Sequence, residues 1–351
     1  MALLVGLTAD LSGDEIDSSY WELVDRLIQG LVALQGDCEE LIKFGDEDGA
    51  VLLDLGQKAF GAVPSLMNTA CRVLGNPYYE PRGLEQDLKT AFFCMFRNVP
   101  LSIRNAPPKK HFEFGGYTIL EKEKIRLIFD AGPLGFRSIA AHGHADALSF
   151  ICFFDRIPVL VDPGTYQYYC DEAIRNYFRS TFAHNTLVLD DENQSAIAGP
   201  FMWGRKAECR TTKYVPGESI TASHDGYAKK KRPSTHSRTI RILDPRCVEV
   251  IDSVDSLYSH DLELNFHFSP HCKLIDRGNN LFLLGEREWV RLEIPSFMSS
   301  EYYFGSEAPL RGWFSPEFGR REPVYTLTLR GRSSLNKREE ITTKIFFEGL
   351  N

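Results

Sequence analysis

The stretch AAHGHADALSFICFFDRIPVLVDPGTYQYY, residues 140–169, decides the fold. Within it, LSFICFF (148–154) and IPVLV (157–161) are apolar on both faces, the pattern of strands enclosed inside a sandwich. Downstream the pattern turns to period two. LELNFHF puts Leu262, Leu264, Phe266 and Phe268 on one face and Glu263, Asn265 and His267 on the other, and TIRI (239–242) and RCVEVI (246–251) alternate in the same way. Short strands parted by Gly, Pro and Asp turns continue through EREWVRLEI (286–294) and VYTLTLRG (324–331) to TTKIFFEG (342–349). The 24 Phe and 14 Tyr favour the same reading, because flat rings pack well on a pleated surface. From residue 108 to residue 351 the chain reads as a large antiparallel β-sandwich.

Upstream, residues 1–107 read as helical. In SSYWELVDRLIQGLVALQG (18–36), Trp21, Val24, Leu27, Ile28, Leu31 and Val32 recur at helical spacing, and Ser19 with Glu22 makes a capping box for a helix near 19–35. Leu66, Met67, Ala70, Val73 and Leu74 give a second helix, with Pro64 in its first turn and Gly75 at its end. A third runs through LEQDLKTAFFCMF (84–96). Between the first two lies FGDEDGAVLLDLG (44–56), which lacks the ligand ladder and closing Glu of an EF-hand loop and reads as a plain surface turn. The period changes near the Pro-Pro-Lys-Lys of residues 107–110, which sets the domain boundary.

Charge narrows the function classes. With 40 Lys and Arg against 48 Asp and Glu, the net charge of −8 argues against non-specific capture of nucleic acid, so an acidic ligand needs a local site. The one basic run, Lys229 to Arg232, precedes Pro233 and reads as a solvated turn. None of the eight cysteines forms a C-x-x-C pair, and Cys152 lies in an apolar strand. The opening MALLVGLTADLSGDE has too short an apolar stretch and no basic region for a secretory signal, and no segment reads as a membrane span.

Chemistry concentrates around His142 and His144. If both enter the following strand in extended geometry, their spacing puts the two imidazoles on one side, with room left by Gly143. Asp162 closes the next strand before a Pro-Gly turn, and His184 precedes a third, NTLVL. Three antiparallel neighbours can bring two imidazoles and a carboxylate to one point, a ligand set that suits Zn²⁺. Taken singly, each residue has a plainer reading as a structural histidine or a turn-forming Asp, and spacing alone leaves both open.

Taken together and in order, HGHADALSF (142–150), VDPGTYQYY (161–169) and NYFRSTFAHNTLVLDDENQ (176–194) resemble successive motifs of heparinase II/III-like lyases, among them heparin, heparan-sulfate and alginate lyases. HDGYA (224–228) and LNFHFSPHC (264–272) also look like that family, and FGDEDG (44–49) resembles a segment near the end of its α/α toroid. The resemblance implies that residues 1–107 are the C-terminal end of such a toroid. It implies a Zn²⁺ held by His144, Asp162 and His184 as a clamp between strands, and a catalytic His142 facing the substrate cleft. Tyr166, Tyr168, Arg179 and His224 become candidate substrate contacts, with core roles open to each.

The implied reaction is β-elimination at a uronic acid, which needs donors around the carboxylate, a base near C5 and an acid for the leaving oxygen. Family members draw the neutralising Asn or His and the Tyr acid from the toroid, and no segment here matches those positions. The expectation is a sandwich half-site on an acidic-polysaccharide lyase, either a fragment of a longer chain or a short form that lost or never had full activity, unless a homo-oligomer or a second polypeptide supplies the rest. Relatives of this kind are often periplasmic or secreted. The alternative is a non-catalytic carbohydrate-binding or scaffolding protein stabilised by zinc; a cupin-like redox site is disfavoured because no downstream Glu and His recur at cupin spacing.

Overall fold

The apolar runs that opened the sequence reading form the inner strands of a five-stranded antiparallel sheet, ordered β1 (His111–Phe112), β2 (Tyr117–Lys122), β3 (Ile125–Asp130), β4 (Phe150–Phe154) and β5 (Ile157–Leu160). This is a computed structural model, and it describes residues 1–38, 42–50, 62–81, 87–102, 109–136, 138–286 and 288–349. The acidic loop beyond Ala50, the first residues of LEQDLKTAFFCMF, the two prolines of the Pro-Pro-Lys-Lys segment and Arg287 lie outside the described residues. The chain divides into two units, one of Met1–Ile42 and Ala50–Lys109, the other of Lys43–Gly49 and Lys110–Asn351.

The first unit is helical: α1 (Ala2–Ser12), α2 (Ser18–Gln35), α3 (Ala62–Leu74) and α4 (Leu88–Cys94). The sequence reading missed α1, having weighed that segment only as a leader; it ends at Gly13, whose φ of 76° closes the helix in a left-handed cap. For α2 the cap is Asp17, whose carboxylate accepts from the Ser19 amide at 2.8 Å, and not the expected Ser19 and Glu22 pair. Its buried face is Val24, Ile28 and Val32, while Leu27, expected inside, stays exposed. Asp87 caps α4 through the Thr90 amide at 2.7 Å. Leu3, Leu7, Ile28, Met67, Ala70, Tyr79 and Phe93 share one core.

The second unit is antiparallel β. Besides the first sheet it holds an eight-stranded sheet in the spatial order Cys272–Asp276, Leu281–Leu284, Glu288–Glu293, Glu339–Gly349, Cys247–Ser256, Ser234–Asp244, Ser219–His224 and Cys209–Val215. A four-stranded sheet runs Ser299–Phe304, Tyr325–Arg332, Asp261–His267 and Leu187–Leu189. One apolar core joins the sheets through Leu127, Phe129, Phe150, Leu264, Phe266, Leu327, Ile240, Val250 and Phe347. In Ser234–Asp244 alternate positions are buried, the period-two pattern of a sheet with one face on a core. Past β5 the chain runs beside the Asp261–His267 strand, with the Val161 amide on the His267 carbonyl at 3.0 Å, and this places Asp162 at the sheet's edge.

Candidate metal centre and its surroundings

His142 and His144 do not lie in a strand. The segment from Ala141 to Ser149 is irregular, β4 begins only at Phe150, and Leu148 sits at φ 61°. The two rings consequently enter different surroundings, His144 fully buried and the His142 side chain 62% exposed. Trp203 fixes the bend between them by donating its indole N–H to the Gly143 carbonyl at 3.0 Å.

Three loops meet at His144. Asp162 follows β5, and its Oδ1 accepts the Gly164 amide at 2.9 Å, the expected turn before Pro-Gly. His184 follows a 3-10 turn at Thr181–Ala183. Asn185, next in sequence, holds the arrangement. Its side-chain amide donates to the carbonyls of Phe150 at 2.8 Å and Val161 at 3.0 Å, and its Oδ1 accepts the His267 amide at 2.6 Å. One buried amide thus ties the residue beside His184 to the residue beside Asp162.

His144 Nδ1 and His184 Nε2 lie 3.2 Å apart, and His184 Nε2 lies 3.4 Å from Asp162 Oδ2. Asp146, which the sequence reading passed over, completes a set of four whose ligand atoms all fall within 4.8 Å of one another. Two ligands about 2.0–2.1 Å from a tetrahedral Zn²⁺ stand about 3.3 Å apart, so both short separations fit two edges of such a site.

The hydrogen bonds on the far side of each ring sharpen the fit. His184 Nδ1 lies 2.7 Å from the Ser180 carbonyl, and His144 Nε2 lies 3.1 Å from Asp46 Oδ1. Both partners only accept, so in the neutral rings these nitrogens carry the protons and the lone pairs face each other across 3.2 Å. Lone pairs at that distance repel unless a cation lies between them. Negative charge is also crowded here. Without a cation, protons must relieve it: burial works against a charged His184, yet the Asp162 carboxylate beside it raises its affinity for a proton, and burial raises the Asp146 carboxyl. Two facing lone pairs and two carboxylates are the donor set a dication takes.

Asp46 belongs to the stretch read as a plain surface turn, and that expectation is corrected: its side chain is fully buried. It accepts both terminal nitrogens of Arg175, in α5 (Glu172–Phe178), at 2.6 Å each, and stands 3.3 Å from His142 Nδ1 as well as beside His144. Burial works against the charged carboxylate, but the bonds from His144 and Arg175 outweigh it and hold the group well below the usual range. Gly45 permits the approach, since a Cβ there would meet the His142 carbonyl oxygen at 2.5 Å and its φ is 64°.

The remaining expected contacts separate. Tyr168 stays with His142, their ring centroids 6.0 Å apart. Tyr166 turns inward at φ 63° against Phe178, 5.6 Å between centroids. Arg179 and His224 are not at a substrate surface. Arg179 is fully buried and clamps a hairpin, donating to the carbonyls of Gly199 at 2.5 Å and Pro200 at 3.0 Å under Trp203. His224, 2% exposed, accepts the Gly226 amide on Nδ1 and donates its Nε2–H to His236 Nδ1 at 3.0 Å. His236 in turn bonds Asp252 at 2.6 Å, which Arg238 also grips at 2.8 and 2.9 Å. Among the described residues no helix is long and apolar enough to cross a membrane.

Residues 104–344 match the heparinase II/III-like C-terminal family. No curated protein matches the chain. Among solved structures, a mutant of the heparan sulfate lyase HepC from Pedobacter heparinus superposes with a TM-score of 0.67 at 16% identity, over 96% of this chain and 48% of that one. A heparinase III with methylated lysines gives 0.66 at 16% identity, over 99% of this chain and 50% of that one, and another heparinase III gives 0.62 at 14%, over 95% and 48%. These likenesses concern the fold, and the chain spans about half the length of the structures it matches. With more than two thirds of its residues in the matched region, the chain belongs to the heparinase II/III-like C-terminal family.

Proposed function

We propose that this chain carries the sandwich half of a polysaccharide lyase site, which cleaves uronic-acid-containing chains by β-elimination with His142 as base. The observation that carries the reading is an exposed imidazole backed by a buried, ionised carboxylate, His142 Nδ1 at 3.3 Å from Asp46. With Nδ1–H donated to Asp46, the lone pair of His142 Nε2 is free for a proton, and the carboxylate stabilises the imidazolium that results. The C5 proton passes to Nε2, its electrons form the C4–C5 double bond, and the C4–O bond breaks toward the leaving sugar. That oxygen requires a proton. Tyr168 stays protonated at neutral pH, because burial and then the charge of Asp46 push its phenol up to about 12, and it is suited to donate to the leaving oxygen or the uronate.

Zn²⁺ bound by His144, Asp162 and His184, with Asp146 beside them, would clamp three loops. The almost complete burial of these rings favours that structural part over contact with substrate. The same burial also suits a non-catalytic, zinc-stabilised carbohydrate-binding protein. The test is ultraviolet absorbance of the unsaturated uronate on heparan sulfate, alginate and hyaluronan. A rise that His142→Ala abolishes supports the lyase, and affinity without product supports the binder.

A further inference from the structure

Two aromatic rings, Tyr168 and Phe201, flank His142 from separate loops, and a third, Phe318, packs on Tyr168. Tyr168 follows β5. Phe201 stands at the tip of the hairpin Ile197–Gly199 and Met202–Trp203, and Phe318 at the tip of the hairpin Trp313–Glu317 and Arg320–Pro323. Tyr168 lies 5.0 Å from Phe201 and 4.9 Å from Phe318 between centroids, and His142 lies 5.8 Å from Phe201. Hairpin tips ordinarily carry Gly, Asn, Asp or Ser, so the fold does not require a phenylalanine at either. Arg175, neutralised by Asp46, sits 5.3 Å from the Tyr168 ring and 5.6 Å from Phe201, which fixes those two rings in place. Apolar surface continues outward, with Phe318 at 36%, Met202 at 56% and Tyr169 at 92% exposure.

We propose that Tyr168, Phe201 and Phe318 form a stacking subsite for a pyranose ring of the polysaccharide, adjacent to the ring on which His142 acts. The C–H groups of a pyranose are weakly positive and settle on the negative faces of aromatic rings, while its hydroxyls stay at the rim, in reach of water and of His142. Three rings are too few for a protein partner, which would need about 800 Å² on each side. The position of the subsite relative to bond cleavage rests on the lyase reading; the affinity it supplies does not.

The experiment is calorimetric titration of the full chain with size-defined oligosaccharides of heparan sulfate and of alginate, with product absorbance followed in parallel. Phe201→Ala and Phe318→Ala should each weaken binding by roughly threefold to tenfold. Phe201→Leu, which keeps apolar bulk without the ring, should weaken it nearly as much, and its unchanged thermal midpoint would separate stacking from misfolding. Wild-type affinity in the phenylalanine variants, or no binding of either oligosaccharide by the unaltered chain, overturns the subsite. Weakened binding without any product leaves the subsite standing and means that this chain alone does not carry the lyase activity; product with unaltered affinity in the variants overturns the subsite and leaves the lyase reading.

Discussion

Asp46 accepts both terminal nitrogens of Arg175, each at 2.6 Å, across 129 residues of chain. Neither side chain is more than 3% exposed, so the pair is held without help from water. Removing one partner of such a pair strands the other. Asp46→Asn should therefore cost on the order of 3–5 kcal/mol. It should also weaken metal binding by about 10–100-fold, because Asn offers one acceptor oxygen in place of two and His144 must compete with Arg175 for it. Thermal unfolding with and without added zinc measures both effects, and an unchanged midpoint would contradict the buried pairing.

Metal content separates the two neighbouring histidines. His144→Ala or Asp162→Ala should release the ion and lower the unfolding midpoint, and Asp146→Asn should weaken retention against a chelator. His142→Ala should leave the metal in place. Elemental analysis of the purified variants decides this, and loss of metal from the His142 variant would show that the two roles are exchanged.

Asn185→Leu keeps the volume of the side chain and deletes its three hydrogen bonds. The carbonyls of Phe150 and Val161 and the amide of His267 would be left without their partner in a buried place. A loss on the order of 3–5 kcal/mol is expected, together with weaker zinc retention. Chemical denaturation in zinc and in chelator reads the two losses separately; equal destabilisation in both would mean that Asn185 supports the fold without positioning ligands.

Acid should unfold the sandwich in two stages. Burial drives the His224 proton affinity down, helped by any proton taken up on His236 and by the Arg238 charge, and burial lowers His236 as well. The folded chain refuses protons that the unfolded chain binds below about pH 6.5, so stability is full above that pH and falls beneath it by about 1.4 kcal/mol per pH unit for each histidine. Asp252 works against a burial penalty, but Arg238 and His236 hold it down to about 2. Its contribution is present above roughly pH 4 and is lost as the pH falls further. Denaturant midpoints between pH 8 and pH 3 test this, and a flat profile from pH 7 to pH 5 would contradict the neutral histidines.

The strands were legible because β packing writes its period into neighbouring residues. Leu264, Phe266 and Phe268 needed no partner to be read as one face. His144, Asp162 and His184 were legible only as a set, through their order along the chain. Asp46 was hidden, because nothing in FGDEDG distinguishes a solvated carboxylate from one that meets Arg175 and His144 from about a hundred residues away. Asp146 was within reach of the sequence, because the same i, i+2 spacing that pairs His142 with His144 also sets Asp146 on the His144 side, where the structure groups them. Asn185 and Arg238 look like ordinary strand residues until their buried partners are known. For Arg179 and His224, where a substrate contact and a core role both stood open, the side chains are buried, with Arg179 on the carbonyls of Gly199 and Pro200 and His224 on Gly226 and His236.

Seven residues, Lys43–Gly49, pack with a unit whose other members begin at Lys110. A gene cut where the hydrophobic period changes would thus express a sandwich lacking Asp46, with Arg175 unpaired and His144 free to flip its tautomer. Failure of such a fragment to retain metal would say nothing about the ligands themselves. During synthesis the order is reversed to advantage. The carboxylate leaves the ribosome before either histidine or the arginine that it organises, so those three side chains fold onto a counter-charge already made.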